Sequence, residues 1–169
     1  MTPANAQNHL SITIPAGFSE RPATLDDARD IADLWTLVSA HMGQPEQGNE
    51  EQQRKDWSKP GFDLASSTLI VEDSNEAIIA YAAMDDVMNP PVRPWLTLVI
   101  HPDHENSGVT EYLLHWLETT AQRVLDRCPP DAEIALRMGA VPDYKPRQDM
   151  LKARGYTHSR NFLRMVIHM

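Results

Sequence analysis

Apolar residues recur along this chain in two rhythms. Ala28, Ile31, Ala32, Trp35 and Val38 fall at the three-to-four spacing of a helix with one buried face. Thr24-Leu25-Asp26-Asp27 precedes them as a capping box with aspartate in the glutamate position. Gly43-Gln44-Pro45 closes the run, so the spacing predicts a helix to about His41. The same rhythm returns at Leu113, Leu114, Leu117, Ala121, Val124 and Leu125, a helix that ends near Arg127, before Cys128-Pro129-Pro130. A short helix is predicted over 149–154, with Gly155 where a left-handed C-cap belongs. Residues 46–57 are polar and helix-tolerant, with Trp57 as an anchor.

The second rhythm is that of strands. Residues 18–23 read as a first strand, 67–72 as a second and 76–85 as a third, with Asp73-Ser74-Asn75 as the turn between the last two. Residues 95–101 are almost continuously apolar, which suits a strand buried on both faces at the centre of a sheet. Residues 132–140 and 157–169 complete the set, and a short strand is expected at 10–14 within a loose extension, residues 1–16. The order β α (α) β β β α β α β predicts a mixed α/β domain over residues 17–169, one sheet with helices on its faces.

Composition narrows the function. With 169 residues and 41% apolar content, the chain suits one domain with a real core. Its formal charge of −9 and scattered Lys and Arg argue against a nucleic-acid partner. No apolar run reaches the roughly eighteen residues that a membrane helix needs. Residues 1–16 lack the basic start and apolar core of a secretory signal. Cys128 is the single cysteine, so neither a disulfide framework nor a cysteine zinc site is expected. A cytoplasmic protein is the simplest fit.

The densest chemistry lies where the central strand meets the leucine-rich helix. Strand, His101-Pro102 step, a polar loop with Gly108 and a helix start together form an anion site, because first-turn N–H groups lack helical partners and carry partial positive charge. The histidines there, His101, His104 and His115, match no zinc spacing, so no metal is expected. Asn106-Ser107-Gly108 is not a nucleophile elbow, since position 105 is Glu rather than Gly.

The element order, together with several phrases, resembles the GNAT superfamily of N-acetyltransferases. Those phrases are Arg21-Pro22-Ala23-Thr24-Leu25-Asp26-Asp27-Ala28, Trp57 with Pro60-Gly61-Phe62-Asp63, the stretch 95–118, and the ending Lys152-Ala153-Arg154-Gly155-Tyr156 with Arg160-Asn161-Phe162-Leu163-Arg164-Met165. The likeness runs from about residue 18 and is strongest to the branch with mycothiol-synthase-like enzymes. It implies a GNAT fold, a single mixed, mostly antiparallel sheet with helices on both faces. It also implies acetyl-CoA as co-substrate and a small-molecule amine as acceptor. In that family a Gln/Arg-x-x-Gly-x-Gly/Ala loop wraps the CoA pyrophosphate with backbone amides. The matching positions here are Glu105, Asn106, Ser107, Gly108, Val109 and Thr110, of which Gly108 alone keeps the pattern. A carboxylate about 6 Å from a phosphate costs on the order of 2–3 kcal/mol at an effective dielectric near 20, before screening. The amide donors do not depend on side-chain identity.

The resemblance also implies an oxyanion donor among the fourth-strand N–H groups, Ile100 or, as second choice, Leu98. The family's Tyr acid falls on Leu151, and Tyr144 upstream is the substitute candidate. Candidate bases are Glu133, Asp85, Asp86 and His101. Trp57, Trp95 and Trp116 read as packing anchors, and Trp57 could also line a substrate cleft. Two further readings stand beside the enzyme. One is a GNAT-fold binding or interaction module without catalysis, in keeping with Glu105, Thr110 and Leu151. The other is a homodimer joined through an apolar last strand at 162–167.

Overall fold

A computed structural model describes residues 12–45 and 47–161. The chain divides into two compact units, Met1–Gly139 and Ala140–Met169. The first holds a five-stranded sheet in the order β1-β2-β3-β4-β5, formed by Ser19–Arg21, Thr68–Glu72, Ile78–Asp85, Trp95–Ile100 and Arg137–Met138. The first four strands are mutually antiparallel, and β5 runs parallel to β4.

Side chains alternate across a strand, and here both faces are apolar. Ile70, Tyr81 and Val99 stand opposite one another and share a cluster with Ala28, Ile31, Leu34 and Val38 of helix α1 (Ala28–His41) and with Trp57 at the end of α2 (Glu50–Trp57). Leu69, Ala80, Ala82, Leu96, Leu98 and Ile100 point the other way and are buried. Helix α4 (Val109–Ala121) packs on β3 and β4 and buries Val109, Leu113, Leu114 and Leu117. Burying a leucine or isoleucine contributes about 1.5–3 kcal/mol, so these two layers provide most of the apolar stabilisation. The expected mixed sheet with helices on its faces is present.

Ion pairs tie the elements at their ends. The Arg21 guanidinium donates to both Asp27 oxygens, at 2.8 and 2.7 Å, and to Glu72 at 2.9 Å. Asp27 also accepts the Thr24 N–H at 2.7 Å, the aspartate half of the expected capping box. The helix opens with one 3₁₀ turn, Leu25–Asp27, before α1 proper. A short helix, α3 (Leu64–Ser67), leads into β2. Asp86, buried just past β3, is held by Arg123 and Arg127.

Several boundaries differ from the sequence expectation. The strand expected over 132–140 pairs with β4 only at Arg137 and Met138. Pro129-Pro130 and Pro142 flank it, and the approach is fixed instead by N–H bonds from Ala135 to Val92 and from Arg137 to Pro94. In the second unit, α5 spans Lys145–Ala153 rather than starting at Asp149, because Pro146 sits in the first turn, where a missing N–H costs nothing. Its end is as read. Gly155 at φ +85° follows the C-cap, and the N–H groups of Tyr156 and Gly155 reach the Leu151 and Lys152 carbonyls in a Schellman motif. Residues 157–161 are irregular rather than extended in a sheet, and 162–169, with the expected dimer strand, lie outside the described residues. Residues 12–14 form no strand, and the rest of the expected strand at 10–14 is likewise outside them.

Candidate active site

Strand β4 delivers the chain to the loop. His101 donates its N–H to Ile79 of β3 at 2.8 Å. Backbone groups alternate sides in an antiparallel ladder, so the N–H groups of Leu98 and Ile100 face away from β3, toward the β5 side. There the β4–β5 ladder ends at Leu96↔Met138. Both residues expected to offer an oxyanion donor therefore lie on the side that β5 leaves, past its last pair.

Residues 102–104 make a 3₁₀ turn that His101 caps, its Nδ1 accepting the Asp103 N–H at 3.2 Å. Two hydroxyls then fold the loop onto itself. Ser107 Oγ donates to the His104 carbonyl at 2.7 Å, and Thr110 Oγ1 donates to the Glu105 carbonyl at 3.0 Å. The Thr110 hydroxyl is thus turned into the loop backbone. Gly108 is the N-cap of α4 at φ +85°, a conformation that strongly favours glycine. Being glycine, it supplies no side-chain acceptor to the first turn. Val109 N–H has only a 3.4 Å approach to Ser107 Oγ, whereas the Ser107 N–H is engaged by the His104 carbonyl at 3.1 Å. Ser107 therefore serves as a loop fastener, and Gly108, Val109 and Thr110 remain as the amides at the helix start. Asn106 is exposed beside them.

The other expected residues fall elsewhere. Glu133 is exposed, two residues before the Ala135–Val92 hydrogen bond, beyond the N-terminal end of β4. His101 lies at the opposite end of that strand, which at about 3.3 Å per residue makes the two roughly 17 Å or more apart. Tyr144 is the N-cap residue of α5, in the second unit, and Leu151 is buried on that helix. Asp86 is removed as a base, because two guanidiniums hold its buried carboxylate. Asp85 accepts the Val87 N–H at 3.3 Å and lies 3.6 Å from Lys59. Trp57 does not line a cleft. It is buried, and its indole N–H donates to the Tyr81 hydroxyl at 2.8 Å, whose pKa burial pushes well up. Trp95, expected as a packing anchor, is 37% exposed beside Gly139.

Sequence reading missed the neighbours of the loop. Pro15, Phe18 and Glu20 reach His104, Gly108 and Tyr112 across some ninety residues of chain, a long-range packing that no local pattern encodes. Among the described residues no group of three or more His, Cys, Asp or Glu side chains gathers to hold a metal ion. No helix there is long and apolar enough to cross a membrane.

No protein-family model matches the chain, and no curated protein matches it by sequence. Its fold does have relatives. A GCN5-related N-acetyltransferase from Sphaerobacter thermophilus superposes with a TM-score of 0.76 at 23% identity over 86% of this chain. The chain spans 45% of that protein. The Salmonella typhimurium protein yncA, whose structure holds its cofactor acetyl-CoA, gives a TM-score of 0.63 at 16% identity, covering 85% of this chain and 82% of that one. The aminoglycoside 6'-N-acetyltransferase AAC(6')-Ih from Acinetobacter baumannii gives 0.57 at 16% identity, over 90% and 99%. These likenesses establish the GNAT fold.

Proposed function

We propose that this chain binds acetyl-CoA and transfers its acetyl group to the amine of a small molecule. The observation that carries the reading is the start of α4. It follows β4 through the loop 101–108, and apart from the 3.4 Å approach of the Val109 N–H to Ser107 Oγ its glycine N-cap adds no side-chain acceptor to the first-turn amides of Gly108, Val109 and Thr110, on a fold that in the Salmonella protein holds acetyl-CoA. Those amides and the helix dipole suit a pyrophosphate whatever their side chains are.

The phosphates at the C-terminal end of β4 set the direction of the rest. The pantetheine arm would extend along β4 on the side that β5 leaves, with the thioester past the Leu96↔Met138 pair. The amine nitrogen then attacks the thioester carbon, the C–S bond breaks, and the oxygen charge that develops is met by the Ile100 N–H. Glu133, exposed beyond the N-terminal end of β4, is a proposed base for the amine proton. His101 lies at the phosphate end with its Nδ1 already used as a cap, so it ranks below Glu133. The departing thiolate needs little help from an acid, because a thiol pKa is about 8.5.

A second reading is favoured by one residue. Leu151 is buried on α5 at the position where the family carries its Tyr acid. A binding module with the same fold would hold acetyl-CoA and release no thiol. Calorimetry tests the shared premise. At a hundredfold over the dissociation constant, acetyl-CoA should stabilise the protein by about 2.7 kcal/mol. No shift at millimolar acetyl-CoA would overturn both readings, and binding without thiol release across an amine panel would select the second.

A further inference from the structure

The stretch that leads into β1 touches the loop and the start of α4 at three points. At position 108 a Cβ would come within 3.3 Å of Pro15 Cγ. The Phe18 ring stands edge-on to His104, with centroids 5.6 Å apart. Glu20 accepts the Tyr112 hydroxyl hydrogen, and burial together with that carboxylate holds the Tyr112 pKa well above its usual value. The three contacted positions, His104, Gly108 and Tyr112, are spaced four apart. The stretch therefore meets the loop and the first helical turn at three places rather than one.

Its own shape is set locally. The Phe18 N–H donates to the Pro15 carbonyl at 3.3 Å, and Gly17 sits at φ +90°, so the chain doubles back between them. Phe18 and Pro15 are both half-buried.

We propose that Pro15 to Glu20 form a brace that fixes the loop 101–110 with its amides ready for the phosphates. The inference rests on the acetyl-CoA reading above. A plug would present acceptors to the amides at the start of α4. Residues 12–18 carry no ionisable side chain, the Glu20 carboxylate accepts from the Tyr112 hydroxyl, and the Pro15 carbonyl is turned to Phe18. What the stretch presents instead is a pyrrolidine ring and a phenyl ring, which restrict backbone movement and leave the N–H groups to a ligand. The need is specific to this loop. Two positions where the related loop has an amide or basic side chain and a small residue hold Glu105 and Thr110 here. External contacts supply the order that tight glycine packing would otherwise give.

The test uses the full chain and acetyl-CoA as probe, with Phe18→Ala, Phe18→Tyr and Tyr112→Phe. If loosening the loop leaves one molecule in ten competent, the dissociation constant for acetyl-CoA rises about tenfold. Phe18→Ala should show that loss, Phe18→Tyr should restore binding, and amide exchange at 104–110 should quicken in Phe18→Ala while α1 is unchanged. Tyr112→Phe removes one hydroxyl and keeps the ring, so it reports on the brace should Phe18→Ala fail to fold. Unchanged affinity and exchange in both variants would overturn the brace. Tighter binding would also overturn it, by showing an obstruction. If the unaltered protein binds no acetyl-CoA, the functional reading fails by itself, and exchange at 104–110 still decides the brace.

Discussion

What already holds a side chain decides whether it can take a proton. Asp86 lies at the end of the third strand, where a base was expected, yet Arg123 and Arg127 occupy its carboxylate and Arg123 also reaches Ser66 and Ser67. His101 is tied into a cap. Glu133 stands exposed beyond the N-terminal end of β4. Glu133→Gln should therefore slow thiol release by about a hundredfold or more, the usual range for losing a general base. The acetyl-CoA dissociation constant should stay put. A slowing confined to a His101→Gln variant would reassign the base. At this scale the sequence was legible where chemistry is local. Gly108 was singled out as a backbone position, and it adopts φ +85° at the N-cap. Trp57 was ambiguous between cleft and core because its partner, Tyr81, is 24 residues away.

Elements are held in place by a few close approaches. Gly48, between α1 and α2, would put a Cβ 1.9 Å from the Ala32 carbonyl oxygen, and its N–H donates to Thr36 Oγ1 at 2.9 Å. Thr36 in turn donates to Ala32. The obstruction is helix backbone, which cannot give way, so Gly48→Ala should destabilise the protein by about 1–3 kcal/mol. Urea unfolding would measure it, and a change near zero would mean that the connection is free to move aside. Strands and helices with strong periodicity were readable: β2, β3, β4, α1 and α4 lie close to where the pattern placed them. The start of α5 was read at Asp149, although Pro146 lets the helix open at Lys145, and residues 132–140 were taken for a strand, although only Arg137 and Met138 find a strand partner. Hydrophobicity reports burial, whereas pairing depends on a neighbour that sequence spacing does not reveal.

For the molecule as a whole, acid is the informative stress. Hydrogen bonds from Arg21 hold the Asp27 carboxyl below its ordinary pKa. A depressed carboxyl favours the folded state above its unfolded value and loses that contribution as pH falls through its folded value. Stability should therefore be level down to about pH 4 and decline below it. Asp63 and Asp73, lowered by local hydrogen bonds to Ser66 and to the Ala77 N–H, act in the same direction. Asp27→Asn should be less stable at neutral pH by about 1–3 kcal/mol and show a shallower acid decline. Chemical unfolding across pH would check both, and parallel curves for the two proteins would remove Asp27 from the account. The overall architecture was the most legible level, because element order and a central apolar strand constrain a sheet strongly. The loop between β4 and α4 was legible as a location, while the residues packed against it, Pro15, Phe18 and Glu20, are distant in sequence.

The described outer margin of the sheet, β1, is three residues long, and two of them, Glu20 and Arg21, are charged. So brief and charged a border is a poor template for fibrils, since stacking a foreign segment there would gain few hydrogen bonds and bury charge. Crowded solutions of this protein should consequently resist amyloid growth nucleated from that border.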